Sequence, residues 1–146
     1  MTQPNWRMRF VNGAARTQNT RAEQEEAEFM TFMEKVVRPA FSQIGRQLTE
    51  KGRTISSQET RASCSITVRN GNTEEISFRV MRQSLPNSVI PSIEAKMRER
   101  LGMRIRKKSG PLRNAADLIP SLSEATPDDI VNAFYKYYAE ALGNIG

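Results

Sequence analysis

Apolar residues recur at Phe29, Met33, Val36, Ala40, Ile44 and Leu48, three or four apart, and Pro39 falls inside the run. That spacing places all six side chains on one stripe of a 3.6-residue helix. A proline inside a helix removes a backbone donor, and its ring collides with the preceding turn, so it kinks or breaks the helix. The stripe keeps phase on both sides of Pro39, which predicts one kinked helix rather than two. Thr20, with Glu23 three positions later, reads as a capping box at its start. Glu23, Glu25 and Glu26 then face the positive end of the helix dipole. Gly52 is the expected stop, after Lys51.

A single apolar stripe must be buried against a partner layer, and the following residues supply one. Ala62, Cys64, Ile66 and Val68 alternate with polar neighbours, as do Ile76, Phe78 and Val80, and Asn70-Gly71 lies between the two runs. This is a hairpin signature. A two-residue Asn70-Gly71 loop would set Ile66 opposite Glu75. A three-residue Asn70-Gly71-Asn72 loop sets Ile66 opposite Ile76, Cys64 opposite Phe78 and Ala62 opposite Val80. Because a one-residue slip sends every side chain to the other face, the longer loop is expected. A shorter strand over 53–57 precedes the hairpin.

Ile93, Met97 and Leu101 are spaced by four, Gly102 follows, and Glu94 stands four before Arg98. This predicts a helix over 92–101 and a strand through Met103 and Ile105, with a second hairpin as the alternative. Residues 109–125 read as a long connection. Thr126 then caps a last helix, with Pro127 at its first position and Asp128 and Asp129 in its first turn. Its buried stripe is Ile130, Phe134, Tyr137 or Tyr138, and Ala141. The expected fold is α+β: a long kinked N-terminal helix packed on a small antiparallel sheet, with the hairpin 61–81 central, and a C-terminal helix. Residues 1–19 are expected to form a basic arm or edge strand with a linker, and 20–146 a single domain. A chain of 146 residues needs neither metal nor disulfide to build a core.

Histidine is absent and Cys64 is the one cysteine. That removes His-activated serine and cysteine nucleophiles, the usual zinc sites and any internal disulfide. Cys64 falls on the apolar side of its strand and reads as a packing residue. Asp128 and Asp129 are accounted for by the helix dipole. The expectation is therefore a protein with no catalytic residues, no metal and no cofactor. No apolar run approaches the ~18 residues of a membrane span, so no membrane is expected as partner. A reducing, cytoplasmic setting suits the lone thiol.

Charge is the main pointer to a partner. The net +6 is unevenly spread: residues 96–113 carry +7 and residues 114–146 carry −4. Lys96, Arg98, Arg100, Arg104, Arg106, Lys107, Lys108 and Arg113 form a run broken by one acid, Glu99. Concentrated arginine is the electrostatic footprint of phosphate binding, because its planar fork matches phosphate and neutralisation releases counterions. Arg7 and Arg9 alternate with Trp6, Met8 and Phe10 in a segment that reads as a docking strand or a stacking arm. Arg61, Arg69 and Arg79, beside Ser63, Ser65, Thr67 and Ser77, give the hairpin a basic, hydroxyl-rich outward face, whose default reading is a solvated sheet surface. Tyr135, Tyr137 and Tyr138 put aromatics on more than one face of the last helix. Tyr135 and Tyr138, with Trp6 and Phe10, are thus the expected partner interface.

Two functions follow as expectations. One is a non-catalytic nucleic-acid-binding protein that contacts backbone phosphates of DNA or RNA, within a homo-oligomer or larger complex. The other is a structural or adaptor subunit whose basic segment docks an acidic protein.

Overall fold

The computed structural model describes residues 13–98 and 104–145. Helix α1 spans Gly13–Phe32, a π-helical turn follows over Met33–Val37, and α2 continues over Arg38–Glu50. The π turn lies just ahead of Pro39: the Arg38 N–H bonds Met33 O, five residues back. Widening the helix there makes room for the proline ring against the preceding turn, so the helix bends without ending. Phe29, Met33, Val36, Ala40, Ile44 and Leu48 are all buried, joined by Phe32, Val37 and Phe41. The start differs from expectation, since Thr20 lies seven residues inside the helix and not at its N-terminus. The stop is as expected. Gly52 takes φ 85°, and bonds from Gly52 N–H to Thr49 O and Arg53 N–H to Leu48 O close a Schellman motif.

Five strands follow as an antiparallel meander in the order β1-β2-β3-β4-β5: Thr54–Glu59, Ser63–Asn70, Thr73–Ser84, Val89–Arg98 and Ile105–Pro111. The β2–β3 register corrects the expected one. Asn70 pairs with Thr73 around a two-residue Gly71-Asn72 loop, with Gly71 at φ 64° in the first central position that a type II′ turn reserves for glycine. A bulge beyond Val68 then passes over Glu75, so Val68 meets Ile76, Ile66 meets Phe78 and Cys64 meets Val80. The bulge restores the apolar match that the short loop alone would have lost.

Residues 92–98, the described part of the expected helix 92–101, are strand and not helix. Ile93, Ala95 and Met97 are buried in alternation with Ser92, Glu94, Lys96 and Arg98, and β4 pairs with both β3 and β5. A spacing of four is also twice the strand period, so Ile93 and Met97 fit either pattern. Alternation at Ala95 and the hydrogen-bonding demand of the sheet decide for the strand.

Helix α3, Pro127–Ile145, packs against β3, β4 and the π turn–α2 segment. Its start carries a reciprocal cap: the Thr126 N–H donates to Asp129 Oδ2 at 3.0 Å, and the Asp129 N–H donates to Thr126 Oγ1 at 3.3 Å. All helices lie on one face of the sheet. Phe78 at the centre of β3 ties the layers, meeting Phe134 of α3 edge-on at 5.4 Å and Phe41 of α2 at 6.3 Å. Each such fully buried ring contributes roughly 1.5–3 kcal/mol by burial alone. The connection after β5 is pinned along β4, where Leu112 N–H bonds Pro91 O and Leu122 N–H bonds Val89 O. No helix among the described residues is long and apolar enough to cross a membrane.

Candidate nucleic-acid interface

With the helices on one side, strand alternation delivers every second residue to the opposite, open face. Reading across the register, one row is Ser56, Thr67, Ser77, Lys96 and Lys107, one residue from each strand. The next row is Gln58, Ser65, Arg79, Glu94 and Ser109. Arg69 and Arg98 lie beyond the first row, with Glu74 opposite Arg69. Among the described residues, this face carries five cations against two carboxylates, set among hydroxyl groups. Arg69 pairs with Glu74 at 3.4 Å and Lys107 with Glu94 at 3.3 Å. Arg79, Lys96 and Arg98 are exposed and have no ion-pair partner among the described residues.

Lys96 stands directly opposite Lys107 in the ladder, with Ser77 on its other side. Like charges in facing positions destabilise a sheet; Glu94 of the next row reaches Lys107, and no described carboxylate pairs with Lys96. An anion laid across the strands would offset it. No aromatic side chain is placed on this face by the described register, so it offers arginine, lysine and hydroxyl donors but no stacking platform for bases.

The expected basic run is thus not one patch. A period of two divides it between the faces of β5. Lys96, Arg98 and Lys107 reach the open face. Arg106 and Lys108 turn to the helix side, where both meet Glu140 of α3, Arg106 at 3.8 Å and Lys108 in closer contact. Arg104 is exposed just before β5, and Arg113 lies after it, its guanidinium donating to Asp117 O at 3.1 Å. Arg7, Arg9, Arg100, Trp6 and Phe10 lie outside the described residues. Arg69 and Arg79, read from sequence as part of a solvated sheet face, share the open face with Lys96, Arg98 and Lys107. Only the pairing of β3 with β4 could have shown this.

Of the two tyrosines expected at a partner interface, Tyr138 does not face outward and Tyr135 does so only in part. Tyr138 is buried, stacked on Phe134 at 5.4 Å, and donates its hydroxyl to Glu75 Oε1 at 2.5 Å. Tyr135 is half-buried and donates to Gln47 Oε1 at 2.6 Å. Because α3 packs on both the sheet and the first helix, it needs a wider apolar face than one stripe, and the tyrosines supply it. Glu75 was missed entirely from sequence. The bulge turns it inward, where it also accepts from Arg53 Nε at 3.2 Å.

At the β1 edge the two layers part around a groove of about 420 Å³, lined by Phe41, Ile55, Cys64 and Ile66, with Arg38 and Glu59 among its polar walls. Arg38 grips Glu59 through two bonds of 2.7 and 2.9 Å, which holds that carboxyl below its usual pKa. Burial first, and the Glu59 charge second, push the Cys64 thiol up to about 12. A thiol so placed is almost wholly protonated at neutral pH. In native protein at pH 8, Cys64 is expected to resist Ellman's reagent for as long as the fold persists, and to react at once in denaturant; a fast native reaction would show that the groove opens to the thiol. No group of three or more Cys, Asp or Glu among the described residues is arranged to hold a metal ion. No protein-family model, no curated protein and no solved structure matches the chain.

Proposed function

We propose that the open face of the sheet binds nucleic acid through its backbone phosphates, without catalysis and without base-specific readout. The observation that supports this reading is the Lys96–Lys107 opposition, flanked by Arg79 and Arg98, with Lys96, Arg79 and Arg98 in no ion pair among the described residues. Glu94 already engages Lys107, and a phosphate backbone crossing the strands would neutralise Lys96, Arg79 and Arg98. Surrounding serine and threonine hydroxyls add neutral donors that position a backbone without reading sequence. The expected setting is the cytoplasm.

Binding of labelled single- and double-stranded DNA and RNA oligonucleotides, titrated with salt, tests the reading. Affinity is expected to fall linearly on a log–log plot, with a slope of about −0.9 per duplex phosphate contacted and about −0.7 per single-strand phosphate. Absence of binding to all four probes at low salt overturns it. Salt-sensitive binding to polyglutamate alone would favour the adaptor reading, in which the same face docks an acidic protein.

A further inference from the structure

The two edges of the sheet are treated differently. Edge strand β5 carries Arg106, Lys107 and Lys108 in succession and ends at Pro111, features that discourage a further strand. Edge strand β1, Thr-Ile-Ser-Ser-Gln-Glu, has a regular register with β2, no bulge and no proline. Its one charge, Glu59, is neutralised by Arg38. Beneath it lies the apolar groove of Phe41, Ile55 and Ile66. An added strand would satisfy the unpaired backbone edge and drop every second side chain into that groove.

We propose that this edge receives the segment Trp6–Phe10 of a second copy of the chain, so that two copies exchange arms reciprocally as a dimer. The sequence supplies the required alternation: Trp6, Met8 and Phe10 on one side, Arg7 and Arg9 on the other. Chain length assigns it to the other copy. Phe10 is tied within about 11 Å of Gly13, and Trp6 within about 25 Å, at full extension. The groove begins at Arg38, beyond the π turn, and the straight part of the helix from Gly13 to Phe32 alone spans about 28 Å. An arm this short cannot reach its own groove, but a partner lying antiparallel along the long helix brings each arm to the other's edge. Exchange of an identical element is a low-cost route to a two-fold dimer. The inference stands without the nucleic-acid reading, although a strand so placed would put Arg7 and Arg9 on the open face.

Trp6 is the only tryptophan, so intrinsic fluorescence reports on the arm alone. Light scattering on the full chain is expected to give a dimer with blue-shifted Trp6 emission that moves red as dilution dissociates it. Met8→Glu with Phe10→Glu, outside the described fold, is expected to weaken the dimer about a hundredfold or more, as loss of buried anchors does. Ser57→Lys, at an exposed position in the groove wall, is expected to do the same while leaving the circular dichroism spectrum unchanged. A monomer with red-shifted Trp6 at every concentration overturns the proposal. So does a monomer whose Trp6 is buried regardless of dilution, which would mean the arm folds onto its own chain. A dimer that survives either substitution also overturns it.

Discussion

Changing Arg79, Lys96 and Arg98 together to glutamate is expected to abolish nucleic-acid binding at physiological salt. Neutralising the same three with alanine, by Arg79→Ala, Lys96→Ala and Arg98→Ala, should reduce the duplex salt slope by about 2.7, at about 0.9 per lost phosphate contact. A contact that contributes little at 1 M salt then accounts for about two to three orders of magnitude of affinity at 0.1 M, summed over three. Reversal adds repulsion to that loss. All three side chains are exposed and unpaired among the described residues, so the fold should tolerate the alanine changes within about 0.5 kcal/mol each. The contrast is Arg106→Ala with Lys108→Ala, which removes two charges from the other face. These cations are engaged by Glu140, and their loss should change the slope far less than removal of Lys96 and Arg98. Equal effects from the two sets would mean that the chain binds polyanions by overall charge, and that the open face is not the site.

That contrast also marks the boundary of what the residues reveal by themselves. Periodicity located the long helix, the hairpin and the capped last helix, because Phe29 to Leu48, Cys64 to Val80 and Ile130 to Ala141 each repeat with one period over several turns or rungs. Two devices defeated it. Ile93 and Met97 satisfy helix and strand alike, and only the neighbouring strands, which need a partner for their backbone groups, select between them. The bulge at Glu75 is a single inserted residue with no sequence marker, yet it sets the register of the central pair and delivers a carboxylate to the core. The basic run suffered from the first of these. Read as a helix followed by a strand, its charges could be pictured as one cluster. Read as a hairpin, they divide between two faces, and the half on the open face joins Arg69 and Arg79 from strands far earlier in the chain.

The buried carboxylate makes the second large prediction. Glu75 is 4 % exposed and has two partners, the Tyr138 hydroxyl at 2.5 Å and the Arg53 guanidinium, which spans both its oxygens at 3.2 Å. Arg53 is itself about a quarter exposed, with a side-chain value of 25 %, so it can recover water if left alone, whereas Glu75 cannot. The three substitutions are therefore unequal. Arg53→Met strands a carboxylate in the core and is expected to cost about 3 kcal/mol or more. For a chain of this size that is a fall of about 6–12 °C in Tm, at about 2–4 °C per kcal/mol. Glu75→Leu leaves a hydroxyl without its acceptor and a partly exposed guanidinium that still donates to Lys51 O, and should cost less. Combining Arg53→Met, Glu75→Leu and Tyr138→Phe replaces the network by apolar groups and should regain most of the stability lost in Arg53→Met. If the losses simply add, the three groups do not act as a unit.

Alkaline pH gives an independent reading of the same site. Burial, then the Glu75 carboxylate, raises Tyr138 from its ordinary 10 to about 12. A folded value above the unfolded one means stability that is complete below pH 10 and is lost as pH rises through about 12. The buried Cys64 thiol, raised from 9 to about 12, acts in the same sense from a lower starting point. Wild type should therefore lose stability from about pH 9 upward, in denaturant titrations run at successive pH values. Tyr138→Phe should lie below wild type at pH 8 and fall less steeply between pH 10 and 12, since the phenol no longer resists ionisation. Parallel curves for the two proteins would show that burial and Glu75 do not raise the Tyr138 phenol.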